Sequence, residues 1–228
     1  MSETGPATGP GAVAKEAVGR HAAGLVSDGM KVGLGTGSTV YYTILELAER
    51  APDITCIGTS DKTEALARGK GLTVVTPGEI GTLDIAIDGA DEVDPSTNLV
   101  KGGGGALTRE KIVAELADEF VVVVDSSKLV DTLGAFGLPF EVVEFGVEPV
   151  RHRLLGLGAA TVTVRETTSD NGNPLLDADF FPISDPESLA RECADIPGVI
   201  EHGIFPARIV EQVLVAGDGT VERMDRRG

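Results

Sequence analysis

The sequence predicts an α/β protein: an open, mostly parallel, Rossmann-like sheet flanked by helices, with a smaller α+β, ferredoxin-like domain appended. Three observations carry this. Short apolar, β-branched runs alternate with helical patterns between Val13 and Val124, the order that builds a parallel sheet with crossover helices. The pattern changes near Gly134, where strands with alternating faces and a hairpin signal take over. A last apolar run, Val210 to Val215, returns the chain to the main sheet. The expected division is 1–134 plus 206–228 for the main domain and 135–205 for the small one.

Val13, Ala17, Val18, Ala22, Leu25 and Val26 recur at helical spacing and predict a helix from Val13 to Ser27, ended by Asp28-Gly29. Lys31 to Leu34 reads as a strand running into Gly35-Thr36-Gly37-Ser38-Thr39, and a helix follows over about Val40 to Arg50. Ile54 to Gly58 is a strand, Lys62 to Gly69 a helix, and Thr73 to Val75 and Asp84 to Ile87 are further strands. Thr108 to Leu116 is a helix with Thr108 as a candidate cap. Phe120 to Val124 is a wholly apolar strand. In the small domain, Leu138 to Val143 and Thr161 to Arg165 read as strands. Asp170-Asn171-Gly172-Asn173 is a hairpin turn signal, because Asn-Gly tolerates positive φ. Pro186 to Ala194 reads as a helix with proline in its first turn. The turn Gly217-Asp218-Gly219 completes the return to the main sheet.

Composition narrows the function classes. The 228 residues are 42% hydrophobic and 24% charged, ordinary globular values. No apolar run approaches the ~18 residues of a membrane-spanning helix. Met1 to Gly11 lacks a basic patch followed by an apolar core, so it reads as a frayed tail rather than a secretory signal. Cys56, Cys193, His21, His152 and His202 are too scattered for a zinc site, and two reduced cysteines fit a cytoplasmic protein. The net charge of −17 argues against a nucleic-acid partner, which needs clustered Lys and Arg. A single phosphate is still admissible, held by a few local cations and a helix N-terminus. Lys is scarce, 7 against 12 Arg, and the acids are spread along the chain. The surface is therefore expected to be adapted to high salt; equal folding and activity without added salt would refute this.

Four motifs carry candidate chemistry. Gly33 to Thr39 follows a strand and precedes a helix, so its backbone can approach an anion closely and offer it free N–H groups. It misses the dinucleotide pattern by one residue, Ser38, and lacks the lysine of a P-loop. It fits a monophosphate cradle, or a tight turn with no ligand. Asp88-Gly89-Ala90-Asp91-Glu92-Val93-Asp94 sits at the carboxyl end of a strand, where open α/β sheets bind ligands. Paired carboxylates there push their pKa values apart; the alternative is an exposed acidic turn. Lys101 to Lys111 holds four consecutive glycines, which suit a loop passing close to a substrate. Glu110 is either a base aimed into the cleft or a first-turn carboxylate favoured by the helix dipole. Lys101 would meet negative charge developing on oxygen. Lys128, after Asp125-Ser126-Ser127, is a second anion ligand or a solvated surface cation.

Together these segments resemble ribose-5-phosphate isomerase of type A. GLGTGST, DGADEVD, KGGGGALTREK and SSKLVDTLG stand in the family's order, and LPFEVV, DNGN and IPGVIEHGIF extend the match from about Ala14 to Val215. The resemblance implies interconversion of ribose 5-phosphate and ribulose 5-phosphate through an enediol-type intermediate, with no metal or organic cofactor. It matches Glu110 to the general base. Thr36, Gly37, Ser38 and Thr39, then Asp88, Gly89, Ala90 and Asp91, then Lys101, Gly102, Gly103 and Gly104 match the substrate-binding segments. Asp88 and Asp91 would handle hydroxyl protons and ring opening, and Lys101 the oxyanion. Lys128 matches a phosphate-contacting lysine; Ala14-Lys15 stands where a lysine pair is common, so Lys15 is its counterpart near the phosphate. The family also implies a homodimer or homotetramer. The sequence from Arg208 onward departs from the family pattern. Two other readings are weighed. A sugar-phosphate sensor would carry a DNA-reading segment, which the short acidic N-terminus does not offer. A nicotinamide-dependent dehydrogenase is disfavoured by Ser38.

Overall fold

A computed structural model describes residues 5–6, 11–217 and 220–225. Most of the predicted N-terminal tail, 1–4 and 7–10, and Asp218-Gly219 of the predicted turn lie outside the described residues. The first part of the chain runs α1 (Ala12–Ala23), β1 (Lys31–Leu34), α2 (Ser38–Arg50), β2 (Thr55–Gly58), α3 (Asp61–Gly69) and β3 (Thr73–Val74). It continues with α4 (Pro77–Ile80), β4 (Leu83–Asp88), β5 (Glu92–Val93), β6 (Leu99–Val100), α5 (Leu107–Leu116) and β7 (Ala117–Asp125). Then come β8 (Leu138–Val142), α6 (Val147–Gly156), β9 (Val162–Thr168), β10 (Pro174–Ala178), α7 (Pro186–Ala194) and β11 (Val199–His202). The chain closes with β12 (Ile204–Phe205), β13 (Gln212–Gly217) and β14 (Thr220–Asp225).

The main sheet has the order β3-β2-β1-β4-β7-β13-β14, parallel throughout except for the β13–β14 hairpin. This is the predicted Rossmann-like sheet. Its central strands are apolar on both faces because both are covered. Val32, Leu34, Ile85, Ile87, Val121 and Val123 meet α1 and α2 in one core. Ala86, Phe120, Val122 and Val124 meet Val113 and Ala114 of α5 in another. The second sheet, β11-β8-β10-β9, is antiparallel, and with α6 and α7 its chain order is βαββαβ. That is the expected ferredoxin-like arrangement. A third core, including Phe140, Val150, Leu154 and Leu176, fills it. Among the described residues no helix is long and apolar enough to cross a membrane.

Several element boundaries differ from expectation. α1 stops at Ala23 rather than Ser27, and the chain goes on in tight turns, with the Leu25 and Val26 N–H groups donating to Ala22 and Ala23 oxygens. Val13, placed on the apolar face by spacing, is 82% exposed. α5 opens at Leu107, and Ala106, not Thr108, holds the cap position. The Thr108 hydroxyl instead donates to Glu141 Oε2 at 2.5 Å, a partner 33 residues away that no local cap rule reveals. The hairpin at Asp170 to Asn173 joins β9 to β10, a strand the alternation did not mark.

Candidate active site

The strand order reverses between β1 and β4: from β1 the chain builds outward to β3, and from β4 the other way. Open α/β sheets bind ligands at such a point, outside the carboxyl ends of the strands. A cleft of about 300 Å³ lies there. Thr36, Gly37, Ser38 and Thr39 enter it from the β1–α2 loop, and Gly89, Ala90 and Asp91 from the end of β4. Lys101 to Gly104 and Glu110 enter from the segment that leads into α5. Lys15, on α1, and Lys128, after β7, also line it. Of the predicted site residues, Asp88 alone is not part of the lining.

Asp88 lies directly behind. It is 2% exposed, as is Lys101, and Glu110 is 5% exposed. Asp88 Oδ1 accepts the N–H groups of Gly89 (2.7 Å) and Thr36 (3.1 Å). The Lys101 ammonium stands 3.0 Å from Asp88 Oδ2 and 3.4 Å from Glu110 Oε2, and donates to the Gly89 carbonyl at 2.5 Å. Two carboxylates therefore share one buried cation. Burial raises the Glu110 pKa to about 8, against the opposing Lys101 charge and with help from Asp88 and Asp91. Burial likewise raises Asp88, opposed by Lys101 and the two N–H donors. Burial by itself would lower Lys101; the Asp88 and Glu110 charges outweigh it and leave its pKa raised. A carboxyl group poised near neutrality can take a proton from carbon and give it back.

The acidic motif divides its labour. Asp91 faces the cleft and accepts the Gly103 N–H at 2.7 Å. Glu92, 3% exposed, turns the other way and accepts the N–H groups of Gly134 (2.6 Å) and Phe136 (2.7 Å). Asp94 closes the turn to Asn98, accepting its N–H at 2.8 Å. These carboxylates are committed by position, and an exposed acidic turn does not describe them.

The glycine loop has a steric reason. A Cβ on Gly35 would lie 2.0 Å from Asp88 Oδ1 and 2.1 Å from its Cγ. Gly35→Ala is accordingly expected to displace Asp88 and Lys101, to lower stability by about 1–3 kcal/mol, the cost of overpacking, and to remove most activity. A thermal melt and a rate assay check this; wild-type values in both would overturn it. Thr36 spends its groups internally: its N–H goes to Asp88, and its hydroxyl lies 2.8 Å from those of Thr59 and Ser60. The free donors are the first N–H groups of α2, which a helix leaves unpaired. Lys15 approaches Asp125 Oδ2 at 3.8 Å. Lys128 makes no ion pair among the described residues and stays half-buried at the cleft wall.

A family model described as ribose 5-phosphate isomerase A (phosphoriboisomerase A) matches residues 55–220. The chain belongs to the ribose 5-phosphate isomerase A family. Ribose-5-phosphate isomerase A 1 of Oceanobacillus iheyensis is 48% identical over 199 residues, covering 84% of this chain and 89% of that one. Ribose-5-phosphate isomerase A of Dinoroseobacter shibae is 42% identical over 227 residues, covering 93% and 87%. The ribose 5-phosphate isomerase A structure from Neisseria gonorrhoeae superposes with a TM-score of 0.91 at 33% identity, covering 94% of this chain and 97% of that one. A D-ribose-5-phosphate isomerase solved in complex with phospho-erythronic acid superposes with a TM-score of 0.89 at 36% identity, covering 94% and 98%.

In this member of the ribose 5-phosphate isomerase A family, sequence reasoning missed part of the site. Asp125 lines the cleft, its Oδ1 accepting the Ser127 N–H at 3.0 Å; its place at the end of β7, before the Lys128 turn, was the readable signal. The hold of the small domain on α5 had no local signal. Arg109, beside Glu110, donates to Asn171 Oδ1 (2.8 Å), the Asp170 carbonyl (2.9 Å) and Asp61 Oδ1 (2.7 Å). Glu141, fully buried, binds Thr108, Ser169, Asn171 and Asn173. The first turn of α5 is thereby tied to the hairpin that follows β9.

Proposed function

We infer that this chain interconverts D-ribose 5-phosphate and D-ribulose 5-phosphate, with Glu110 as the base. The observation that carries this is the buried Glu110 carboxylate, raised to about 8 and 3.4 Å from the Lys101 ammonium, at a cleft that also presents the α2 N-terminus. In the open-chain aldose, Glu110 takes the C2 proton, and the C–H electron pair forms the C1–C2 double bond as the carbonyl pair moves onto O1. A proton passes from O2 to O1. The O2 charge then collapses to the ketone while Glu110 returns its proton to C1. Atoms and electrons balance within the sugar, so no outside oxidant or reductant enters. Lys101 faces the enediolate charge and stabilises it before any solvent could. Asp91, the acid on the cleft side, handles the hydroxyl protons and ring opening; Asp88 acts through Lys101, holding it charged and in place. That a relative is seen with phospho-erythronic acid supports the reading, since such a compound joins a planar carboxylate, shaped like an enediolate, to a phosphate.

The phosphate is held by the N–H groups at Gly37 to Thr39 and by Lys128 and Lys15, and this remote grip fixes the reacting carbons. Lys128→Ala is expected to raise KM about tenfold, the worth of one charge-assisted contact, with kcat nearly kept; a change confined to kcat would remove Lys128 from the phosphate. The decisive assay is ribose 5-phosphate conversion with chelator present and no nucleotide. Absence of turnover would end the isomerase reading. Open edges at β3 and β9 support assembly as a homodimer or homotetramer, which light scattering checks; a monomer at assay concentration would refute it. Burial holds the free thiols of Cys56 and Cys193 up at about 12. Such inert thiols suit a cytoplasmic enzyme, and export of the native chain in cell fractionation would contradict that.

A further inference from the structure

Arg165 stands on β9 in the small-domain sheet, yet its guanidinium reaches the glycine loop of the cleft. Nη1 lies 3.1 Å from the Gly102 carbonyl oxygen and 3.1 Å from that of Gly103, donating to both. Nε and Nη2 meet the two Asp177 carboxylate oxygens at 2.7 and 2.6 Å. A bidentate pairing of this kind fixes the plane of the guanidinium. Asp177 sits on β10, the strand paired with β9, so the clamp is anchored across two strands. The loop, Gly102 to Gly105, has no side chains with which to hold its shape; its own tie is the Gly105 N–H, which donates to the Gly102 carbonyl at 2.9 Å, and among the described residues the Gly103 carbonyl has no partner but Arg165.

In a trans peptide the C=O and N–H groups point opposite ways. With the Gly102 carbonyl drawn to Arg165, the Gly103 N–H points away from it and meets Asp91 Oδ2 at 2.7 Å. With the Gly103 carbonyl drawn the same way, the Gly104 N–H is turned to the same side as Asp91, and no acceptor among the described residues takes it. Gly104 lines the cleft. We propose that Arg165, clamped by Asp177, is a positioning residue for the isomerisation: it sets the two peptide planes that orient Asp91 and present the Gly104 N–H to the reacting oxygens. This rests on the isomerase reading of the cleft. Donors aimed in advance at developing charge are worth most when they need not reorient during the reaction. The Asp177 carboxylate neutralises the guanidinium, so Arg165 acts through the loop rather than by attracting the sugar phosphate.

The test compares kcat, KM and thermal melting of wild type, Arg165→Ala, Arg165→Lys and Asp177→Asn. Arg165→Ala is expected to lose about tenfold or more in kcat while KM stays within about threefold, because the phosphate is gripped by main-domain groups. Guanidinium chloride at low millimolar concentration should restore part of that kcat, where equal sodium chloride does not. Arg165→Lys should stay impaired, since one ammonium cannot span two carbonyls and a carboxylate. Folded Arg165→Ala with kcat within about twofold of wild type overturns the proposal. So does a loss matched by an equal rise in KM, or one that guanidinium leaves untouched. Should Arg165→Ala fail to fold, Asp177→Asn decides: a fall in kcat at unchanged KM supports the positioning role, and wild-type kcat ends it. A wild type with no isomerase activity would instead sink the isomerase reading itself.

Discussion

Glu110→Gln is expected to lower kcat by about three orders of magnitude, the middle of the range for a positioned proton-transfer group, with KM for ribose 5-phosphate little changed. The amide keeps the shape of the side chain and its place on α5, so the proposed phosphate contacts are untouched. Near wild-type turnover would remove Glu110 from the base role. The same variant should be more stable than wild type, and the gain should depend on pH. Burial sets the folded-state pKa of Glu110 near 8, against 4.5 for an unperturbed glutamate. The folded protein thus binds the extra proton between those values, and wild type loses stability as pH rises from about 4.5 to about 8. Gln carries no such penalty. The melting temperature of Glu110→Gln should match wild type most closely near pH 4.5 and exceed it progressively as pH rises towards 8. Wild-type kcat should fall as pH drops below about 8, since the proposed base, Glu110, accepts the C2 proton only when ionised.

Lys101→Met is expected to fail differently. It removes the one cation from a pair of buried carboxylates, 3.0 and 3.4 Å away. Breaking a buried ion pair from one side costs about 3–5 kcal/mol, and loss of the proposed oxyanion partner costs about a hundredfold or more in kcat. The stability loss should shrink at acid pH, where Asp88 and Glu110 are protonated. Adding Asp88→Asn should recover much of the melting temperature and none of the turnover. Recovery of activity in the double variant would mean that Lys101 acts only as a structural counter-ion. Melting curves and single-turnover rates on the same preparations separate the two outcomes.

Much of this was written locally. β1 and α7 fall on their predicted bounds, Lys31–Leu34 and Pro186–Ala194, because a period and its punctuation sit together in each. The candidate site could be read for a related reason: three of its motifs follow β1, β4 and β7, whose ends a parallel sheet carries to one edge, while the glycine loop follows β6 of a small antiparallel sheet. α6 was missed although Val147, Val150 and Leu154 have helical spacing, because Pro149 interrupts the pattern to the eye while being tolerated in a first turn. β5, β6 and β12 are two residues each, too short for any period. The separation of Asp88 from Asp91 was not legible, since which acid faces the cleft depends on the carboxyl end of β4 and on Gly35, 53 residues earlier. Arg165 was not legible at all, for its partners at Gly102 and Gly103 are 63 and 62 residues away, and a strand arginine ordinarily reads as a solvated one.

The overlap between Gly35 and Asp88 also limits how such a chain can change over generations. Asp88 Oδ1 occupies the volume that any Cβ at position 35 would need. A methyl group there demands that the carboxylate shift, and Lys101 is then left with Glu110, 3.4 Å away, as its acidic partner. The exposed faces of α1 and α3 carry no such steric constraint, whereas these two residues are locked to one another like a key and its ward.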